Sequence, residues 1–172
     1  MAKKVAILLG QDFEDSEFNV PYDRLKAEGF EVDIIGREAG EELVGKKGKV
    51  RTRATRSISE ARPQEYDALV IPGGYSPDKL RADERFVRFV KELDATRKPL
   101  AAVCHGPQLL ITAGLVKGRT LTAWKTIQED LRQIGANVKD APVVRDGNWI
   151  TSRQPDDLQQ FTDALIQALR SS

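Results

Sequence analysis

Val5-Ala-Ile-Leu-Leu9 is a continuous apolar run that stops at Gly10, the pattern of a short strand buried on both faces of a parallel sheet. Between residues 15 and 28, Phe18, Tyr22 and Leu25 recur at helical spacing and Gly29 closes the run. Glu31 to Ile35 then reads as a second strand ended by Gly36, completing one β-α-β unit. Pro21 falls inside the helical pattern, where its ring removes a donor and clashes with the carbonyl of Glu17, so a kink or a late helix start is expected. Residues 37–63 change character: Gly40, Gly45 and Gly48, many charges and the alternation of Lys49 to Arg53 indicate short hairpin strands in an excursion from the core. The buried-strand pattern restarts at Asp67-Ala-Leu-Val-Ile71, runs into Pro72-Gly-Gly74, and is followed by Phe86, Phe89, Val90 and Leu93 on one helix face. Pro99 to Val103 is a third such strand. It meets Cys104-His-Gly-Pro107 directly, and Gln108 to Thr112 continues as a helix ending near Gly114. Ile127, Leu131 and Ile134 mark another helix, Pro142 to Thr151 a hairpin around Asp146-Gly-Asn, and Leu158, Phe161, Leu165 and Leu169 a final amphipathic helix. Repeated β-α alternation predicts an α/β fold with an open, mostly parallel sheet and helices on both faces.

Composition narrows the function. The 172 residues, 40% of them hydrophobic, fit one compact domain spanning 1–172. A net charge of +1 excludes a broad electrostatic grip on nucleic acid or a membrane surface, and Arg51, Arg53 and Arg56 are too few to reverse that. The apolar runs are too short for a membrane span, and the start lacks a signal peptide's pattern, so a soluble, cytoplasmic protein is expected. One Cys and one His supply neither an internal disulfide nor a structural zinc site, so no metal or other cofactor is expected.

In open α/β sheets ligands bind beyond the carboxyl ends of the strands, which directs attention to residues 10–17, 72–78 and 103–107. A Cys between a strand and a helix sits in a sharp turn, its sulfur raised above the sheet near a helix N-terminus. That arrangement resembles a nucleophile elbow and predicts a depressed thiol pKa. An isolated Cys is more often a small buried hydrophobe. Here the only His adjoins the only Cys, Gly106 removes a crowding side chain and Pro107 suits a first helical turn, so Cys104 is the candidate nucleophile.

Phe13-Glu14-Asp15, Leu69-Val-Ile-Pro-Gly-Gly74, Ala102-Val-Cys-His-Gly-Pro-Gln-Leu109 and Asp146-Gly-Asn-Trp-Ile-Thr-Ser-Arg153 together resemble the PfpI (ThiJ/PfpI) family. This is the intracellular-protease-like branch of the superfamily that includes the Parkinsonism-associated deglycase. The resemblance runs from Lys3 to Leu169. It implies a flavodoxin-like three-layer sandwich, a single domain of the class I glutamine-amidotransferase-like type, a reactive elbow cysteine and a role in stress protection. The activities it implies are protein deglycase, glyoxalase-like or peptidase, acting on small carbonyl compounds or glycated side chains in a homo-oligomer, dimer or hexamer. A redox-sensing or chaperone-like protein whose Cys104 is oxidised is the competing reading.

By the same resemblance Cys104 is the nucleophile, His105 its neighbouring His, and Glu14 the acid against the sulfur. A carboxyl beside a thiolate resists ionising, so Glu14 is expected to keep its proton and act as a shuttle. Side chains of sequential residues diverge at a tight turn, which makes direct proton abstraction by His105 awkward and leaves substrate orientation or a structural imidazole as its other roles. Asp78 stands where the family's protease triad takes an acid from a neighbouring subunit. It is shorter there by one methylene, so peptide hydrolysis is less supported than carbonyl chemistry. The N–H groups of Gly74 and His105 are placed to receive an oxyanion, although Pro72-Gly73-Gly74 equally makes a plain tight turn. Tyr75 and Trp124 receive no role.

Overall fold

The computed structural model describes residues 2–172. In chain order the elements are β1 (Lys4–Leu8), α1 (Asp15–Ala27), β2 (Glu31–Gly36), β3 (Glu42–Val44), β4 (Arg51–Arg53), β5 (Arg56–Ser57), β6 (Ala68–Ile71), α2 (Ser76–Leu80) and α3 (Glu84–Ala95). They continue with β7 (Leu100–Val103), α4 (Pro107–Thr112), β8 (Thr120–Leu121), α5 (Lys125–Ile134), β9 (Asn137–Val138), β10 (Val144–Asp146), β11 (Trp149–Ser152) and α6 (Leu158–Ser171). A seven-stranded sheet runs in the order β10-β11-β7-β6-β1-β2-β5. It is parallel throughout except at β10, which returns antiparallel against β11 through the Gly147-Asn148 turn. This is the open, mostly parallel sheet that the β-α alternation predicts, in the flavodoxin-like layering that the resemblance implies.

Side-chain alternation along the strands explains the three layers. Val5, Ile7, Val70, Ala101 and Val103 pack with Phe18 and Leu25 of α1 and with Phe161, Leu165 and Leu169 of α6. Ala6, Leu8, Leu69, Ile71, Leu100 and Ala102 pack on the other face with Phe86 and Leu93 of α3, Leu109 and Leu110 of α4, and Leu131 of α5. A strand buried on both faces cannot show polar alternation, which is why these segments read as unbroken apolar runs.

Pro21 does not delay α1, which begins at Asp15 and runs through the proline. Pro21 lies on the buried face with Phe18 and Leu25, so packing against the sheet compensates for its missing donor. The charged excursion forms the antiparallel β3–β4 hairpin as expected. Its last piece, β5, joins the main sheet beside β2.

Candidate active site

Cys104 follows β7 with φ +62, a left-handed conformation unusual for a residue with a side chain. The Gly106 N–H donates to the Val103 carbonyl at 2.8 Å, closing a tight turn with Cys104 at its first central position. Glycine is the residue that takes this conformation without strain, so holding a cysteine there costs on the order of 1–3 kcal/mol, offset by the surrounding structure. The Cys104 N–H donates to the Ser152 carbonyl at 3.0 Å, and the Cys104 carbonyl accepts from the Trp124 N–H at 2.9 Å. Gly106 is required by space as well, because a Cβ there would stand 2.5 Å from the Ile71 carbonyl oxygen. The nucleophile elbow read from the sequence is thus present as geometry.

Against that expectation, His105 does reach the sulfur: its Nδ1 lies 3.3 Å from Cys104 Sγ. The positive φ turns the Cys104 side chain back toward its neighbour, which an ordinary turn would not do. The His105 ring lies nearly parallel to Trp124, 6.5 Å between centroids and 23° between planes, so Trp124 limits its swing. Burial, then the nearby Lys46 ammonium, lower the His105 pKa against an opposing pull from Asp78, which keeps the imidazole neutral at pH 7.

The acid at the sulfur is Glu17, not Glu14. Glu17 is fully buried, and its Oε1 accepts the Gly73 N–H at 2.8 Å. Its Oε2 has no hydrogen-bond partner among the described residues, and the carboxyl lies close enough to Cys104 for each group to shift the other's pKa. Burial above all, with Glu14's charge added, raises the Glu17 pKa to about 8, so the carboxyl is protonated at pH 7. Glu14 precedes the first turn of α1 and its carboxylate points to Lys46 Nζ at 3.0 Å and Lys47 Nζ at 2.9 Å. Those two lysines outweigh the upward effect of burial and hold Glu14 ionised below the ordinary range. One helical turn separates the two roles. Helical periodicity carries the missed signal, since Glu17 lies four residues before Pro21 on the face that α1 buries.

The expected depression of the thiol pKa is also overturned. Burial, then the charge of Glu17, push the Cys104 thiol above its ordinary value, and the His105 N–H and Lys46 only partly offset them. A six-residue α4 supplies too little dipole to reverse that balance.

Gly73 and Gly74 bring backbone close to the elbow. A Cβ at Gly73 would stand 2.5 Å from Glu17 Oε1 and 2.9 Å from Cys104 Cβ, and one at Gly74, whose φ is +79, would stand 2.3 Å from the Glu14 nitrogen. The pairing of Phe13 with Gly74 places hydrogen bonds on their neighbours, Glu14 N–H to Gly73 and Tyr75 N–H to Asp12, leaving the Gly74 N–H outside that ladder. The His105 N–H lowers the Cys104 thiol pKa, opposing the effect of burial. Asp78, on α2, has a side chain 69% exposed with Arg81 4.0 Å away, and it bears electrostatically on His105 within its own subunit. A cleft of about 400 Å³ between residues 58–64 and α3 shares no residue with this cluster, so cleft size alone would misplace the chemistry.

The DJ-1/PfpI family matches residues 3–168. Protein/nucleic acid deglycase 2 of Escherichia coli is 46% identical over 170 residues, covering 98% of this chain and 99% of that protein. Among solved structures, a two-domain protein from Anabaena variabilis with DJ-1/ThiJ/PfpI-like and ferritin-like domains superposes with a TM-score of 0.96 at 46% identity, covering 98% of this chain. The chain spans 48% of the length of that two-domain protein. DJ-1beta of Drosophila melanogaster superposes with a TM-score of 0.92 at 25% identity, covering 100% of this chain and 92% of that one. With an elbow cysteine, its adjoining histidine and a buried acid assembled at the carboxyl ends of the strands, the chain belongs to the DJ-1/PfpI family.

Proposed function

We propose that this protein is a cysteine-dependent hydrolase of the deglycase type, acting on adducts that methylglyoxal or glyoxal forms with amines and thiols. The observation that carries the reading is the Cys104 sulfur held at an elbow, 3.3 Å from a neutral His105 and against a buried, protonated Glu17. Similarity over nearly full length to a protein/nucleic acid deglycase supports the substrate class.

The thiol is largely protonated at rest, so its proton leaves during attack. Neutral His105 accepts it at Nδ1 as sulfur bonds to the carbon of an aminocarbinol, and the C–N bond breaks as the departing amine takes a proton. The enzyme then carries a hemithioacetal next to a carbonyl. Moving the proton from the sulfur-bearing carbon to the adjacent carbon oxidises the first, reduces the second and leaves a thioester. Glu17 exchanges protons with the oxygens involved, and the Gly74 N–H offers them a backbone donor. Water cleaves the thioester, giving a 2-hydroxy acid and the free thiol. No external redox partner is needed, because the oxidation and reduction are internal to the adduct.

The test is steady-state release of amine and 2-hydroxy acid from a methylglyoxal-treated peptide by wild type, Cys104→Ala and Glu17→Gln. Turnover is expected in wild type and lost without Cys104. Peroxide-driven oxidation of Cys104 without any turnover would sink the proposal in favour of a redox sensor.

A further inference from the structure

The β3–β4 hairpin lies outside the layers that bury the core, yet its turn is tied down with unusual care. The Asp15 carboxylate, only 4% exposed, accepts the backbone N–H groups of Lys47, Lys49 and Val50, each at 2.9 Å. Gly45 leaves the room for it, since a Cβ there would stand 2.3 Å from the Asp15 carboxyl. The Lys46 N–H donates to the Phe13 carbonyl at 2.8 Å. Burial works against the Asp15 charge, but the three amides outweigh it and keep the pKa low.

This anchoring carries two ammonium groups to the site. Lys46 Nζ and Lys47 Nζ both pair with Glu14, and Lys46 Nζ also lies 5.7 Å from the centroid of the exposed Tyr75 ring. With Glu17 protonated, the arm opposes two positive charges to the single carboxylate of Glu14. One positive charge is left uncompensated beside a pocket whose nucleophile must become negative. We propose that Lys46 is the counter-ion of the Cys104 thiolate, and that the turn at residues 45–50 is an arm that holds its ammonium over the site, with Asp15 as the positioning residue. Burial works against the Lys46 charge, but the Glu14 carboxylate above all, and then the Cys104 thiolate, outweigh it and raise the Lys46 pKa. The groups facing this charge are Glu14, Glu17, Cys104 and His105, and Asp78 bears on His105 from α2.

The inference rests on Cys104 being the nucleophile, and the experiment reads the thiol directly. Iodoacetamide alkylation of the sole cysteine is followed by mass against pH in wild type, Lys46→Met, Lys46→Arg, Glu14→Gln, Asp15→Asn and the Asp15→Asn/Lys46→Met double variant. Removing the ammonium raises the alkylation midpoint and slows labelling at pH 8 by about tenfold, and arginine restores it. Glu14→Gln shifts the midpoint the other way, a sign that a merely collapsed arm does not produce. Asp15→Asn follows Lys46→Met in direction, and the double variant is no worse than Lys46→Met, because Asp15 acts through Lys46. An unchanged midpoint in Lys46→Met, or shifts of the same sign in Lys46→Met and Glu14→Gln, overturns the proposal. Midpoints that move as stated in a protein without deglycase turnover would instead overturn the reaction and leave the counter-ion standing.

Discussion

Glu17 Oε1 takes the Gly73 N–H at 2.8 Å, while its Oε2 is buried with no hydrogen-bond partner among the described residues. A carboxyl so placed is stable only with its proton on. Its folded pKa of about 8 lies above the ordinary value of 4.5, so its favourable contribution is complete below 4.5 and is lost as pH rises through 8. Across that window the native state holds a proton that the unfolded chain has released, and stability falls by up to about 5 kcal/mol. Glu17→Gln keeps the Gly73 bond and removes the titration. Thermal unfolding from pH 5 to 9 should therefore show a variant that matches wild type at the acid end and melts several degrees higher at pH 9. Parallel curves would mean that Glu17 does not carry the buried proton.

His105 is argued to accept the thiol proton, which requires it neutral, and its lowered pKa makes it so through the physiological range. The pH profile of kcat/KM should rise on an acid limb below the usual histidine range and fall on an alkaline limb near 8, where Glu17 loses its proton. His105→Gln keeps a polar side chain without a base. It should lose about 100-fold in kcat/KM together with the acid limb. Retention of that limb would assign it to another group.

Gly106 tests the elbow as architecture. A Cβ there would meet the Ile71 carbonyl oxygen at 2.5 Å and the Val103 nitrogen and oxygen at 3.0 Å, all backbone atoms that cannot swing aside. Gly106→Ala is expected to cost about 2–4 kcal/mol by overpacking, read as a lower denaturant midpoint. A neutral substitution would show that α4 can move off β6 and β7 without loss.

Most of the scaffold was legible because doubly buried strands leave an unmistakable mark. Val5 to Leu9, Asp67 to Ile71 and Pro99 to Val103 are apolar throughout, and each ends where a site loop begins. The two-residue strands β5, β8 and β9 carry no periodicity to detect and form because neighbours offer them an edge. Cys104 was legible from its place between strand and helix, whereas Glu14 came from the resemblance alone, and Glu17, on the buried face of α1, was passed over. The contact between Cys104 and His105 needed a backbone angle that residue types do not announce. Lys46 was invisible for a different reason: its contacts with Phe13 and Glu14 join segments some thirty residues apart, and only the fold brings them together.

Asp78 bears on His105 within one subunit, yet most of its side chain is exposed and Arg81 is 4.0 Å away, so it is a weakly held acid. If a second copy covers this face, as family resemblance implies, Asp78 and the exposed Tyr75, 63% accessible, become buried at the shared boundary and the acid gains force. Light scattering over a dilution series with turnover measured in parallel should then show activity falling as the oligomer dissociates. A fully active monomer removes the shared site. Asp78→Asn takes away the one charge that raises the His105 pKa, so the C2 proton of that histidine, observed by NMR, should titrate at still lower pH. The shift should be larger in the assembled protein than in the dissociated one, because exclusion of water strengthens the same charge at the same distance. Equal shifts in both would place the action of Asp78 within the subunit and leave peptide hydrolysis without a triad acid from a neighbour.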